Sequence, residues 1–261
     1  LKTGKLEGVT DNLENLAIEN LSKIPGIGPS NASKLYKDEG ITTIEDLRNV
    51  YKINKKILNS KQEIGLIHYE DLQKRIPKQE MDIWNKILED AFKKIIKDEN
   101  INGIVKLTGS YRRQKQDSGD IDVLISTDKH DPKIMEKFYN ELLKQKIIDK
   151  NNTIAKGNTK IMAVANIDDT FRHLDIFYYT KEVYPFALLF TTGSKELNTN
   201  MRSHALKKGY SLNEKNLTHN SPSGREVNSS EYMSKIGKVK PETEEDIFKF
   251  LDYKYIPPKD R

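Results

Sequence analysis

Apolar and polar positions recur with two different periods along this chain, and the change of period divides it. From Leu13 to about residue 98 the spacing is helical. Leu13, Leu16, Ile18 and Leu21 share one face, with Asp11 or Asn12 as the helix cap, and residues 1–10 read as a flexible lead-in. The string Ile24-Pro25-Gly26-Ile27-Gly28-Pro29-Ser30 breaks that helix, and Ser30 or Asn31 is expected to open the next. Gly40 ends the second helix, Thr42 or Thr43 caps the third, and Pro77 marks a boundary because a proline disfavours helix at the residue before it. Residues 79–98 then carry an apolar face of Met81, Ile83, Trp84, Ile87, Leu88, Ala91 and Phe92.

Beyond that helix the pattern shortens to strands. Ile104–Leu107 and Val123-Leu124-Ile125 read as strands, the second of them buried. A helix is expected over 131–145, a strand pair over 154–165 and a further strand over Phe171–Phe177. Mixed strands and helices predict an α+β unit. After Thr180 the pattern changes again, to a small C-terminal unit with a helix over Asn198–Leu206.

Composition changes this picture little. A chain of 261 residues makes one large domain or two to three small ones, and 36% hydrophobic with 32% charged residues suits a charge-rich soluble protein. No apolar run approaches membrane-spanning length and no apolar secretory segment opens the chain, so no membrane partner is expected. The absence of cysteine excludes disulfides, thiolate zinc sites and a cysteine nucleophile, and fits an intracellular protein. A net charge of +5 is compatible with a polyanionic partner. The chain opens on Leu1 rather than methionine, so a fragment or processed form is expected. Its wealth of Lys, Asn and Ile points to an AT-rich genome, a virus being one candidate source.

The candidate chemistry lies in Gly109–Ser126. Strand alternation puts Asp120 and Asp122 on one face. Neighbouring carboxylates repel each other, and become favourable together when they share a hard cation such as Mg²⁺. Just upstream, Gly109-Ser110 and Arg112-Arg113 offer a backbone amide, a hydroxyl and fixed positive charge, the groups a triphosphate needs. A bare Asp-x-Asp is more often a solvated strand edge. The length of this run shifts the reading towards nucleotidyl transfer. Asp175, in Arg172-His173-Leu174-Asp175-Ile176, shares a face with His173 and Phe177 and is the candidate third carboxylate. In the amino-terminal part, Gly26, Ile27, Gly28 and Ser30 fit a helix-hairpin-helix turn that grips DNA backbone through helix-start amides, against the alternative of an ordinary tight turn.

Gly109-Ser110, Arg112-Arg113 and Ser118-Gly119-Asp120-Ile121-Asp122-Val123-Leu124 resemble the signature of the nucleotidyltransferase superfamily, and within it the X family of DNA polymerases, most closely its beta-type members. The likeness is colinear from about Asn12 to Arg261. It leaves the family's amino-terminal lyase domain without a counterpart, residues 1–10 being expected as the tail of that domain's linker. It implies a nucleotidyltransferase palm over 78–180, a helical helix-hairpin-helix domain before it over 11–77 and a small α+β nucleotide-selection subdomain after it over 181–261. It also implies two Mg²⁺ ions at Asp120, Asp122 and Asp175, with Mn²⁺ as a substitute, and a monovalent cation at the helix-hairpin-helix.

The residue roles that the resemblance implies follow the same order. Arg75, Gly109, Ser110, Arg113 and Gly119 would hold the triphosphate, and Phe190, Thr191 and Gly193 would meet the nucleotide sugar. Lys195 would lie over the base, Asn198 on its minor-groove edge and Arg202 on the templating strand. Three departures stand out: Phe190-Thr191 replace two aromatics, His173 replaces an arginine beside the third carboxylate, and Phe177 replaces an arginine that exchanges partners on closure. Histidine titrates near neutrality, so activity should fall more steeply below about pH 6.5 than with arginine. The implied function is template-directed DNA synthesis that fills short gaps in repair. The expected partners are primed or gapped duplex DNA, dNTP and a repair ligase, for a monomer in the nucleus or at a site of viral DNA replication. The alternatives are a template-independent terminal transferase or RNA nucleotidyltransferase, and a non-catalytic DNA-binding module.

Overall fold

The computed structural model describes residues 7–261, so residues 1–6 of the lead-in expected over 1–10 lie outside the described residues, and residues 7–10 are helical rather than a lead-in. The first helix, α1 (Glu7–Leu21), is already under way at residues 7–10, so neither Asp11 nor Asn12 caps it. Helix α2 (Pro29–Glu39) opens on Pro29 rather than on Ser30 or Asn31, with Gly28 at its N-cap. Proline at the first helical position brings a preset φ and gives up an amide that has no partner there anyway. Thr43 caps α3 (Ile44–Ile53) in a capping box with Asp46, and Asn59 caps α4 (Ser60–Ile67) with Gln62. The short α5 (Tyr69–Gln73) follows.

Ala17, Leu21, Ile24, Ile27, Ala32, Leu35 and Leu47 form the core of this helical part. Gly65 of α4 lies directly on the backbone carbonyl of Pro25, where any Cβ would overlap it. The hairpin turn and α4 are therefore locked backbone to backbone.

Ile76–Pro77 (β1) pairs with Asp117–Ser118 (β3), so the expected boundary at Pro77 falls inside a contact with the next unit. Helix α6 (Lys78–Asp98) buries Met81, Trp84, Leu88, Ala91, Phe92 and Ile95. Ile83, expected on that face, is 54% exposed.

Five strands make the main sheet: β2 (Gly103–Leu107), β4 (Ile121–Thr127), β5 (Ile148–Lys156), β6 (Lys160–Ile167) and β7 (Thr170–Thr180), in the order β2-β4-β7-β6-β5. Only β4 and β7 run parallel; the other pairs are antiparallel. Val123, Ile125, Leu174, Ile176, Ile161 and Ala163 turn to one side of the sheet and pack under α6 and α8 (Ile134–Lys144). The opposite side carries Asp122, Leu124, Asp175 and Phe177 by alternation.

Helix α9 (Tyr184–Thr192) covers part of that second face, where Leu124 packs against Ala187 and Leu188 with Phe177 at the edge. Helix α10 (Lys195–Lys207), the hairpin β8 (Tyr210–Leu212) and β9 (Leu217–His219), α11 (Ser229–Ile236) and α12 (Glu244–Phe250) close a separate core around Met201, Phe248 and Phe250.

Candidate active site

The parallel register of β4 and β7 sets Asp122 directly beside Asp175, on the sheet face that α9 leaves open. Asp120 sits in the bend just before β4 and is exposed. Burial, then the charges of Asp120 and Asp175, push the Asp122 carboxyl up to about 7. Asp175 keeps one oxygen, Oδ1, buried without a hydrogen-bond partner. A carboxyl that burial and two acidic neighbours destabilise, beside an acid with an orphaned oxygen, suits a hard divalent cation, and these oxygens are its donor type. Among the described residues no three such side chains already converge on one ion position.

A raised carboxyl makes the metal-free fold pH-dependent. Folded Asp122 holds its proton more tightly than unfolded chain does, so its contribution is fully present below about pH 4 and is lost as pH rises through about 7. The loss across that window is on the order of a few kcal/mol. In EDTA the melting temperature should fall between pH 5 and pH 8, and Asp122→Asn should flatten the slope. A wild-type profile already flat over that range contradicts the assignment.

Helix α7 (Gly109–Arg112) begins against Asp122: the Thr108 amide donates to the Asp122 carbonyl at 2.8 Å. Gly109 has φ 53° and its missing Cβ would overlap Asp122 Oδ2. Gly109→Ala should therefore push that carboxylate aside as well as strain the turn, costing about 1 to 3 kcal/mol of stability and lowering activity about a hundredfold. Melting and single-turnover rates check it; near-wild-type rates count against the close packing.

One cleft of about 650 Å³ is lined by Arg75, Gly109, Ser110, Arg113, Gly119, Phe190, Thr191, Gly193, Lys195 and Asn198, together with Asp120, Asp122, Thr199 and Arg202. Asp175 stands outside that lining. Arg113 donates through Nη1 to the Thr192 carbonyl at 2.6 Å, while its Nε is buried and unpartnered. Burial holds its pKa below the usual guanidinium range, against the pull of Asp122 and Asp120. A buried N–H without a partner in an arginine-lined cleft suits a phosphate oxygen.

Arg75 is paired with Asp117, Nη2 to Oδ1 at 2.7 Å, at the mouth of the cleft. Asn198 donates to the Phe190 carbonyl at 2.8 Å, which ties α10 to α9. Arg202 lies 5.3 Å from the centre of the Phe190 ring and 4.0 Å from Glu214.

The turn residues fare differently from one another. Gly26, Gly28 and Ser30 are exposed, Gly26 at φ 89°. Ile27 is not at the surface: its side chain is 3% exposed in the helical core, and its amide donates to the Ile24 carbonyl at 3.0 Å. An apolar residue in a tight hairpin has the core as its nearest shelter from water.

Several groups around the site escaped the sequence reading. Lys160 Nζ lies 3.1 Å from Asp175 Oδ2, nearer than His173, whose Nδ1 is 3.7 Å from Oδ1. Arg172 forks onto Glu80 with two bonds of 2.8 Å, fastening β7 to α6. Arg112, expected with Arg113 to offer charge to a triphosphate, is instead taken up by Glu244 and by Thr192 Oγ1 at 2.6 Å, in a chain with Arg261 that joins α7, α12 and the C-terminal residues and that the sequence reading missed. Local pattern carries no signal for these, because every partner is far away in the chain.

A mixed five-stranded sheet with acids side by side on its open face, served by a glycine-led helix and an arginine-lined cleft, is the architecture of the nucleotidyltransferase palm. Comparison with known families narrows the class. The DNA polymerase beta palm matches residues 75–181, the DNA polymerase beta thumb 187–261 and the fingers domain of DNA polymerase lambda 19–73. The chain belongs to the X family of DNA polymerases, and membership implies use of a divalent metal in general terms.

Among relatives, DNA polymerase lambda of Arabidopsis thaliana is 28% identical over 277 residues, covering 100% of this chain and 49% of that protein. DNA polymerase lambda of Rattus norvegicus is 29% identical, covering 98% of this chain and 44% of that protein. DNA nucleotidylexotransferase of Xenopus laevis is 25% identical, covering 100% of this chain and 55% of that protein. The chain thus spans about half the length of the curated relatives it matches. Among the described residues no helix is long and apolar enough to cross a membrane.

Proposed function

We propose that this chain is a template-directed DNA polymerase that transfers nucleotides from dNTP to a primer 3′-hydroxyl and fills short gaps in DNA repair. The observation that carries the reading is that the acids Asp120 and Asp122 open into the same cleft as Ser110, Arg113 and Arg75, with Asp175 beside Asp122 in register. Phosphate donors and metal-ligand acids thereby face a common space.

Two Mg²⁺ ions, replaceable by Mn²⁺, would supply Lewis-acid activation of a hydroxyl and neutralise charge on the phosphates. Asp120 and Asp122 would hold both ions, and Asp175 the one nearer the primer end. Ser110, Arg113 and the Gly119 amide orient the triphosphate, with Arg75 assisting once it leaves Asp117. Phe190, Thr191 and Gly193 meet the sugar, and Lys195 lies over the base. Asn198 reaches the minor-groove edge after giving up the Phe190 carbonyl, and Arg202 contacts the template. Acceptors occupy similar minor-groove places in every pair, so these contacts check pair shape rather than sequence. His173 modulates the third carboxylate. The exposed turn at Gly26, Gly28 and Ser30 grips the DNA backbone, with a monovalent cation as its companion. We take the protein to act as a monomer inside the cell, in the nucleus or at a viral replication site, on gapped DNA that a ligase then seals.

The test is nucleotide addition to a one-nucleotide gap with Mg²⁺, each dNTP supplied separately opposite each template base. Template-matched addition supports the proposal. Addition regardless of template favours terminal transfer, the activity named for the Xenopus relative. DNA binding without addition leaves a binding module.

A further inference from the structure

Lys160 is the first residue of β6, and its register partner across the antiparallel ladder is Phe177. Asp175 lies two positions back along β7, on the same face. The ammonium spans both: Nζ is 3.1 Å from Asp175 Oδ2 and 4.8 Å from the centre of the Phe177 ring. The Lys160 side chain is 39% exposed and that of Asp175 14%, so the pair sits at the rim of the site, with the acid on the inner side. Arg113 acts on Asp122 and Asp120, and Lys160 also acts on Asp122. His173 stops at 3.7 Å from Oδ1, and that oxygen has no hydrogen-bond partner. Among the described residues the acids do not converge on a single ion position, and Asp175 gives Oδ2 to Lys160.

We propose that Lys160 is a positioning residue that holds the third carboxylate in a lysine-paired state and must release it before a divalent ion can sit between Asp122 and Asp175. The inference rests on the reading of Asp175 as a metal ligand. An ammonium and a metal ion compete for the same oxygen, and a positive charge at the rim of the site repels a dication. Binding of the ion is then an exchange of one cation for another. The Phe177 ring gives the released ammonium a place to go, because its negative face attracts a cation without needing an acid. The lysine therefore sets how readily the metal-free site accepts an ion, before any nucleotide chemistry.

The experiment is a Mn²⁺ titration of the DNA-free chain followed by electron paramagnetic resonance. Lys160→Met should bind the first Mn²⁺ about tenfold more tightly than wild type, since one nearby competing charge is gone. Lys160→Gln should do the same and guards against a fold defect in the first variant, while Lys160→Arg should stay within about twofold of wild type. A purely structural lysine would move the melting temperature and leave the affinity alone. Unchanged or weaker Mn²⁺ binding in both neutral variants overturns the proposal. Asp175→Asn separates the two layers. If it weakens Mn²⁺ binding while the neutral lysine variants do not strengthen it, the lysine exchange fails alone. If it leaves Mn²⁺ affinity unchanged, the ligand reading fails and takes the exchange with it.

Discussion

Asp175→Ala should lower gap-filling turnover about a thousandfold, equivalent to roughly 4 kcal/mol of lost transition-state stabilisation. Two effects combine. The variant loses an oxygen pair beside Asp122, and it leaves the Lys160 ammonium unopposed 3.1 Å from where Oδ2 had been. The site becomes more positive by one charge where the proposed dication would bind. Stability should move the other way. Asp175 carries a buried oxygen without a partner and helps push Asp122 up, so its removal relieves the fold. Single-turnover kinetics and melting curves together give the diagnostic pair: a large loss of rate with a melting temperature at or above wild type. Turnover within tenfold of wild type would remove Asp175 from the chemistry. A low rate with a collapsed fold would assign it to structure.

Glu244→Ala should destabilise the fold by about 3 to 5 kcal/mol, for a reason unconnected with the acids. Glu244 is 5% exposed in its side chain and accepts from Arg112 Nη2 at 2.5 Å and from Arg261 Nη1 at 2.6 Å. Arg261 is fully buried in its side chain. Without the carboxylate, two guanidiniums face each other out of water with nothing between them. The melting temperature should fall about 10 °C. The variant should also bind nucleotide more weakly, because Arg112 at the end of α7 and Arg113 just after it reach Thr192 and hold the end of α9 at the cleft. Glu244→Gln keeps one acceptor oxygen but loses the charge and turns an NH2 towards an arginine, so it should lose only somewhat less. A melting temperature within about 2 °C of wild type, by the same scale, would mean that the arginines are solvated in solution.

The strand β4 was legible because Val123-Leu124-Ile125 is apolar on both faces, and both faces are in fact covered, one by α6 and α8 and the other by α9. The helix α6 was legible by period, with Ile83 as the misplaced member: the stripe is narrower than the count of apolar residues suggests. Helix starts were less secure, since Pro29 and Ser30 both carry start signals and the proline took the earlier place. Alternation gave the face of Asp122 and of Asp175 separately. Their adjacency needed the register of two strands distant in sequence, which no local pattern encodes. Only the resemblance to a family grouped the two acids without the fold. Lys160 stayed hidden for the same reason: it sits opposite Phe177, and nothing in its neighbours Asn158 and Thr159 announces an acid across the ladder.

The parallel pairing of β4 with β7 has a bearing on how the protein is born. Between those strands the chain makes α8, β5 and β6, so Asp122 waits for most of the palm to be synthesised before Asp175 arrives. Contacts of such long sequence separation close slowly, after the local helices and hairpins have formed. A ribosome-bound intermediate that ends at β6 would hold Asp120 and Asp122 but could not assemble the triad. On the proposed reading of the acids, the ion site is complete only when the last strand docks into the middle of the sheet, while the thumb is still emerging.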